Sequence, residues 1–443
     1  MPFSFTFNYF KEVKNVVEVR PFPGIKYTKK AGKLEHLIAQ PYDKISPEMQ
    51  KEYYENSEYN YCRLTLPIED NRYEISKERL QNWMENDIFK EDEKPGFYIY
   101  YQNFEINGKE YIRRGFFGAV KLHHFTEDIV LPHEWTHKGP KIDRLNMLKA
   151  TQKFLEAGFM LYDDSEKKTL ALFEEITSQS EPEMDVIDSL GVRNRVWKID
   201  DPEKIKVIQA VLKKPPGQVV IADGHHRYET ACGYRDDLRE QRENWTEDAA
   251  ANFRMTLLVP VQDEGLVILP SHRVLAHHAI DDKSWEEINK YFDVTELEKD
   301  NIQNFLDQHE EHAFVLYTKG HILGLKLKSI DFINQFLDED HAQSYKELDV
   351  VIVREILFNG ILQTGELKID EDIFYIRWIK DAIAKIDADE AKTAVLMNAT
   401  RAEQVLKTAK KHERMPQKST DFYPKMISGL LMQDISEGKE LLR

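Results

Sequence analysis

Cysteine is almost absent: Cys62 and Cys232 are the only two in 443 residues. They lie far apart in the chain, so they offer neither a disulfide framework nor a thiolate metal spacing, and a reducing cytoplasm is the expected setting. No run of 18 apolar residues occurs, and the opening MPFSFTFNYFKEVK lacks a basic stretch followed by a long apolar one. Neither a membrane span nor an export signal is therefore expected. Cationic residues are the minority, with 61 Lys and Arg against 78 Asp and Glu and a net charge of -17. That is the wrong sign for coating nucleic acid or an anionic membrane. Repeats and low-complexity tracts are also missing, which disfavours solenoids and disordered arrays.

What is there is a globular composition, 41% hydrophobic and 31% charged. A chain of this length buries a full core and forms two domains, or one large domain with an elaborated half. Against so acidic a background, Lys and Arg gathered in one cleft would be there to hold a specific anion.

Prolines at 21, 23, 41 and 47 block a long helix near the start, and Ser46-Pro47 then supplies a cap residue ahead of proline at the first helical position. A helical segment is expected around Lys77 to Asn86. PGFYIYYQNFEINGKEYIRRGFFGAVKL alternates aromatic and polar residues about Asn107-Gly108, as a β-hairpin does. Residues 140–160 read as helical, Val196 to Ile199 as a short strand, and Pro202 to Leu212 as a helix before the Pro215-Pro216-Gly217 turn. NFRMTLLVPVQDEGLVILPSHRV adds two apolar strands around Asp263 to Gly265. Beyond His277 the chain has ordinary amphipathic segments such as Ser284 to Phe292. A hairpin follows in HAFVLYTKGHILGLKL, then helices at Arg401 to His412 and Met426 to Met432. The β, α, β order predicts a mixed α/β fold with a core over 1–277 and a second α+β region over 278–443.

GQVVIADGHHRYETA, residues 217 to 231, is the most informative stretch. Gln218 to Ile221 reads as a buried strand of stiff β-branched residues, Gly224 permits a turn, and an amphipathic helix is expected from Tyr228 onward. Asp223, His225, His226 and Arg227 then sit at a strand's carboxyl end beside a helix's first turn, where backbone N–H groups attract anions. Taken singly, Asp223 serves as a helix cap and His-His as a hydrogen-bonded corner. Four polar groups behind so apolar a strand cost desolvation unless they meet one another or a ligand.

Three other segments carry candidate chemistry. His133-Glu134-Trp135-Thr136-His137 fits the zinc spacing H-E-x-x-H, but Pro132 and Gly139-Pro140 leave too short a helix to fix both imidazoles. Glu134 retains interest as a general base kept ionised by Lys138, Lys141 and Arg144. Lys418-Ser419-Thr420 follows a proline turn and suits phosphate, though no G-x-x-x-x-G precedes it as in a Walker loop. Arg273, in LPSHRV, offers a fork for carboxylate or phosphate, or simply an internal ion pair.

Taken together and in this order, RPFPGIKY, QPYDKIS, HEWTHKGPKIDRL, IADGHHRYETA, LPSHRV and MPQKSTDFYPK resemble a widespread prokaryotic family known as domain of unknown function 1015. The resemblance spans nearly the whole chain. The DGHHR run is also similar to the motif of free serine kinases of the ParB/sulfiredoxin-like group, which phosphorylate the hydroxyl of free L-serine with a nucleotide. What this second resemblance implies is a ParB/sulfiredoxin-like catalytic core with a mixed sheet and a phosphotransferase acting with Mg²⁺ and ATP or ADP. Glu134, Asp223 and His225 would be catalytic, and Gly224, His226 and Arg227 would bind nucleotide phosphate. Residue chemistry adds Lys418, Ser419 and Thr420 to the phosphate set and Arg144 and Arg273 to the substrate. The expected partners are a nucleotide and a small molecule, with no nucleic acid or membrane. Two other readings stand beside this one: a non-catalytic nucleotide or amino-acid sensor, and a zinc hydrolase acting through His133 and His137.

Overall fold

A computed structural model describes residues 16–135, 139–338 and 340–442. The chain separates into two compact units. The first comprises Met1–Leu131, Lys138–Asp263 and Met426–Arg443, and the second Pro132–His137 and Glu264–Lys425. The division therefore falls at the Asp263–Glu264 turn rather than near residue 278. The two strands expected to flank that turn separate because they pair differently: Phe253–Pro260 joins the sheet of the first unit, whereas Val267–Leu269 pairs with Asp421–Tyr423 in the second.

The first unit is built on a nine-stranded mixed sheet. Its strands run Val130–Leu131, Val219–Asp223, Gly158–Tyr162, Phe253–Pro260, Lys109–Lys121, Phe97–Ile106, Arg193–Ile199 and Met184–Ile187, with Val19–Arg20 also on Lys109–Lys121. Val219–Asp223 is parallel to Val130–Leu131, and Phe253–Pro260 is parallel to Gly158–Tyr162; the other pairings are antiparallel. The predicted hairpin closes at Asn107 (φ 51°) and Gly108 (φ 80°), the two positive φ values that a two-residue turn of matching twist requires. Two of its polar residues, Gln102 and Arg113, do not face water. They are bonded to each other, and Gln102 Nε2 and the Tyr100 hydroxyl donate to Asn194 Oδ1 at 3.1 and 2.6 Å. These bonds satisfy part of the buried polar set, while the Tyr101 hydroxyl is buried with no hydrogen-bond partner among the described residues.

Several elements differ from expectation. The helix expected over 140–160 ends at Thr151, where Gln152 adopts φ 50°, and Gly158–Tyr162 is a wholly buried strand between two neighbours. A fully buried strand is uniformly apolar, so it cannot be told from a buried helix by periodicity. The short strand at Val196 extends over Arg193–Ile199, paired along its whole length with residues 97–103. Met426 to Met432 is not helical. Instead Ser428 bridges Ala39 and Met432 bridges Ile25, around Gly429 at φ 101°. Ser46 does cap the helix Pro47–Asn56, accepting from the Met49 amide at 3.2 Å. Both cysteines are buried and free, and burial pushes their thiols up to about 12.

The second unit holds a six-stranded antiparallel sheet, ordered Phe292–Glu296, His321–Leu327, Ala313–Thr318, Thr393–Met397, His272–Leu275 and Ile373–Ile376. The helices Ile302–Gln308 and Ile379–Asp387 pack into its core through Phe305, Leu306, Ile383 and Ile386. The helix expected from Arg401 to His412 is confined to Ala402–Ala409, and Val353–Leu362 winds as a π-helix. The fold is mixed α/β. Among the described residues no helix is long and apolar enough to cross a membrane.

The centre of the first sheet is an aromatic stack. Phe116 is 0% exposed, with ring centroids 5.1 Å from Phe97, 5.9 Å from Phe173 and 6.1 Å from Tyr162. Phe116→Ala is expected to lower the stability of the first unit by about 3–5 kcal/mol, read as an earlier midpoint in denaturant for its unfolding transition. A loss below about 1 kcal/mol would show that this stack is not the core.

Candidate functional site

In the first unit the DGHHR run forms a strand, a one-residue turn and a helix. Val219–Asp223 buries its first four residues, Gly224 takes φ 88° and ψ 31°, and the helix begins at His225 and continues to Gln241. It starts three residues before the expected Tyr228, so His225, His226 and Arg227 form its first turn rather than a loop. Gly224 makes this possible, because a left-handed residue reverses the chain within a single peptide. A Cβ there would also lie 3.0 Å from Arg227 Nε and 3.1 Å from its Nη2. The arginine thus folds back over its own turn, and the positive φ together with this close approach favours glycine.

Arg227 lies between two carboxylates, 3.6 Å from Asp223 Oδ1 and 3.6 Å from Glu156 Oε2. Burial opposes its charge, yet Glu156 first and Asp223 second hold the guanidinium protonated above its ordinary range. Glu156 is in turn fixed from three sides. Its Oε1 accepts from the Tyr42 amide at 3.2 Å and the Ser428 hydroxyl at 3.0 Å, and its backbone carbonyl accepts from Arg254 Nη2 at 3.0 Å. The QPYD segment is thereby brought to the DGHHR turn. His225 is buried, and the Thr230 hydroxyl donates to the His226 carbonyl at 2.8 Å.

Beside this turn opens a small cleft, whose lining includes Arg144, Lys153, Arg227 and Arg254 with Glu156 as the one carboxylate. Two of the cations are partly neutralised: Lys153 Nζ is 3.0 Å from Asp434, and Arg144 Nε donates to Asp143 Oδ2 at 2.7 Å. Arg144 also donates to the Thr65 carbonyl at 3.1 Å and lies over the Tyr42 ring at 3.8 Å. Arg254 is the least compensated. It is 3% exposed, its Nε has no hydrogen-bond partner among the described residues, and burial followed by the repulsion of Arg227 pushes its guanidinium down to about 9. Burying an unmatched charge costs several kcal/mol, so this cleft is disposed to take an anion. Neither Glu156 nor Arg254 was expected from sequence. Arg254 had a readable signal, since it is the sole charge in the apolar run FRMTLLVP.

The second unit gathers the other motifs. His133, Glu134 and Trp135 are not helical: Glu134 forms a parallel bridge to Met415, whose amide donates to the His133 carbonyl at 2.8 Å. The helical placement that H-E-x-x-H zinc binding needs is therefore not present at His133. Thr136, His137, Lys138 and the side chain of Lys141 lie outside the described residues. Among the described residues no group of three His, Cys, Asp or Glu is placed to hold a metal.

Glu134 is held by the Lys418-Ser419-Thr420 segment. The Ser419 amide donates to Glu134 Oε1 at 3.1 Å, the Ser419 hydroxyl donates to the Pro416 carbonyl at 2.5 Å, and His133 Nε2 meets the Thr420 hydroxyl at 2.9 Å. Of the residues expected on nucleotide phosphate, Ser419 through its amide and Thr420 through its hydroxyl thus meet the HEW segment, while the Ser419 hydroxyl is bonded within its own turn. Lys418 is exposed, in a left-handed turn at φ 56°. Arg273 is 4% exposed and lines a separate cavity. The expected residues therefore sort into two sets: Asp223, Gly224, His225, His226, Arg227 and Arg144 in the first unit, and Glu134, Arg273, Lys418, Ser419 and Thr420 in the second.

No curated protein matches the chain. Among solved structures, a conserved hypothetical protein from Pyrococcus furiosus is 14% identical with a TM-score of 0.33, over 70% of this chain and 93% of that one. A free serine kinase in complex with AMP is 12% identical with a TM-score of 0.34, over 68% and 89%. SbnI from Staphylococcus aureus, truncated at its C-terminus, is 8% identical with a TM-score of 0.35, over 73% and 90%. The family described as Protein of unknown function (DUF1015) matches residues 19–351, three quarters of the sequence, and the chain belongs to that family.

Proposed function

We propose that this protein transfers a phosphoryl group from ATP or ADP to the hydroxyl of a small acceptor, L-serine first among them. The observation that carries the reading is the basic cleft around Arg227, set against the first turn of a 17-residue helix in a chain of net charge -17. Phosphoryl transfer asks a protein mainly to position groups and neutralise oxygen charge, and a donor-rich helix start with an arginine cluster supplies both. The likeness of the DGHHR run to the free serine kinase motif gives the reaction class.

In this reading Gly224, His226 and Arg227 hold nucleotide phosphates, and Arg144 lies within reach of a charged group in the same cleft. His225 acts beside the transferred phosphoryl group. Asp223, 34% exposed at the strand end, fits as the carboxylate that would hold Mg²⁺. The ion would supply charge neutralisation on the phosphate oxygens. Glu134 accepts the proton of the acceptor hydroxyl, with the Ser419 amide fixing its carboxylate and Lys418 providing a further cation.

Two outcomes are expected. With ATP or ADP, Mg²⁺ and L-serine, the protein forms O-phosphoserine, detected by mass spectrometry. Glu134→Gln lowers kcat by about 10²–10⁴-fold while nucleotide affinity stays within about twofold. No phosphoserine above the level of Glu134→Gln rejects the reaction, and tight nucleotide binding without turnover identifies a sensor. In the second test, Arg227→Gln raises the nucleotide Kd by about 10–100-fold in titration calorimetry, the loss of one charge-assisted contact. Unchanged affinity in that folded variant places the nucleotide elsewhere.

A further inference from the structure

The second unit contains a cavity of about 390 Å³, and its walls come from the π-helix Val353–Leu362, the 364–367 segment, the strand Ile373–Ile376 and the Pro416-Gln417 turn. Every residue lining it belongs to that unit. It is within the size range of small-metabolite sites, and π-helical turns, rare in proteins, are frequent at functional sites.

Two of the four charges lining this cavity, Arg354 and Glu355, are matched to each other. Arg354 Nη2 is 2.5 Å from Glu355 Oε1 and donates to the Tyr345 hydroxyl at 3.0 Å, and the other Glu355 oxygen accepts from the Asn359 amide at 2.8 Å. Arg273 is different. It is 4% exposed, and its guanidinium bonds the Ser271 carbonyl, contacts the Met397 sulfur at 2.8 Å and lies 5.6 Å from the centre of the Tyr375 ring. Among the described residues no carboxylate pairs with it; Asp349 and Glu134 act only through space. Burial is the main cause that pushes this guanidinium down to about 10. A buried guanidinium lacking a counter-ion is costly, and its planar fork fits a carboxylate with two parallel bonds. With Glu355 and Glu366 also on the walls, a dianionic phosphate is repelled where a monoanion is accepted.

We propose that this cavity is a binding site for a small organic carboxylate, held by Arg273 against Tyr375. The site stands whether or not the protein transfers a phosphoryl group, so its test omits nucleotide.

The intact protein is titrated by calorimetry with L-serine, 3-hydroxypropanoate and propanoate, and with ethanolamine and inorganic phosphate as probes lacking a carboxylate. At least one carboxylate is expected to bind at least about tenfold more tightly than ethanolamine and phosphate, and Arg273→Gln to lose at least about tenfold in affinity. Because Arg273→Gln risks the fold, Gln417→Glu provides a second variant: a carboxylate placed at the half-buried turn repels the ligand, with the same loss and an unchanged thermal midpoint. The proposal is overturned if no carboxylate binds below about 10 mM, if ethanolamine or phosphate binds equally well, or if a folded variant of either kind binds as the wild type does.

Discussion

Two arginines in the interior of the first unit have to stay charged, and much of the site is arranged around that requirement. Arg227 and Arg254 repel each other, and Glu156 is the group that makes their proximity tolerable. Glu156 keeps that role because Tyr42, Ser428 and Arg254 fix it from separate parts of the chain. Gly224 belongs to the same constraint, since any side chain there displaces the Arg227 guanidinium. Replacing Glu156 would leave two buried cations facing each other, a situation that proteins avoid at a cost of several kcal/mol. The conformation of the DGHHR turn and the charge of the adjoining cleft are thus one problem with one solution.

The strand and the glycine turn of that motif are legible in sequence because β-branched residues and a positive-φ position leave strong local signatures. The start of the helix is not, since His-His-Arg carries no apolar period and begins a helix only after Gly224 has turned the chain. Glu156 is hidden for a different reason: it lies between a true helix and a buried strand, and the apolar character of both merges into one apparent helix over 140–160. Hairpins at Asn107-Gly108 and Lys319-Gly320 are readable from two residues each. The two-unit division is not readable, because it depends on which partner the strands on either side of Asp263 choose.

In the second unit the sequence motifs meet in a way that changes their roles. Lys-Ser-Thr reads as a phosphate loop in isolation, but the Ser419 amide and the Thr420 hydroxyl meet the HEW segment. The same contacts explain why an extended Glu134 is stable beside two prolines. Its carboxylate oxygen is met by a backbone N–H, as a helix cap would provide, without a helix. Arg273 shows the reverse case, a residue whose chemistry is readable in isolation and whose surroundings leave it without a counter-ion.

The first unit is not a continuous stretch of chain. Its sheet is laid down before Asp263, yet Ser428 and Met432 complete bridges to Ala39 and Ile25, and Gln433–Asp434 pairs with Lys153–Phe154. During synthesis the Glu156 carboxylate must therefore wait for Ser428 until almost the entire polypeptide has left the ribosome. A nascent chain halted at the apparent domain junction would carry a sheet with an unfinished edge, and recombinant fragments cut there would inherit the same defect.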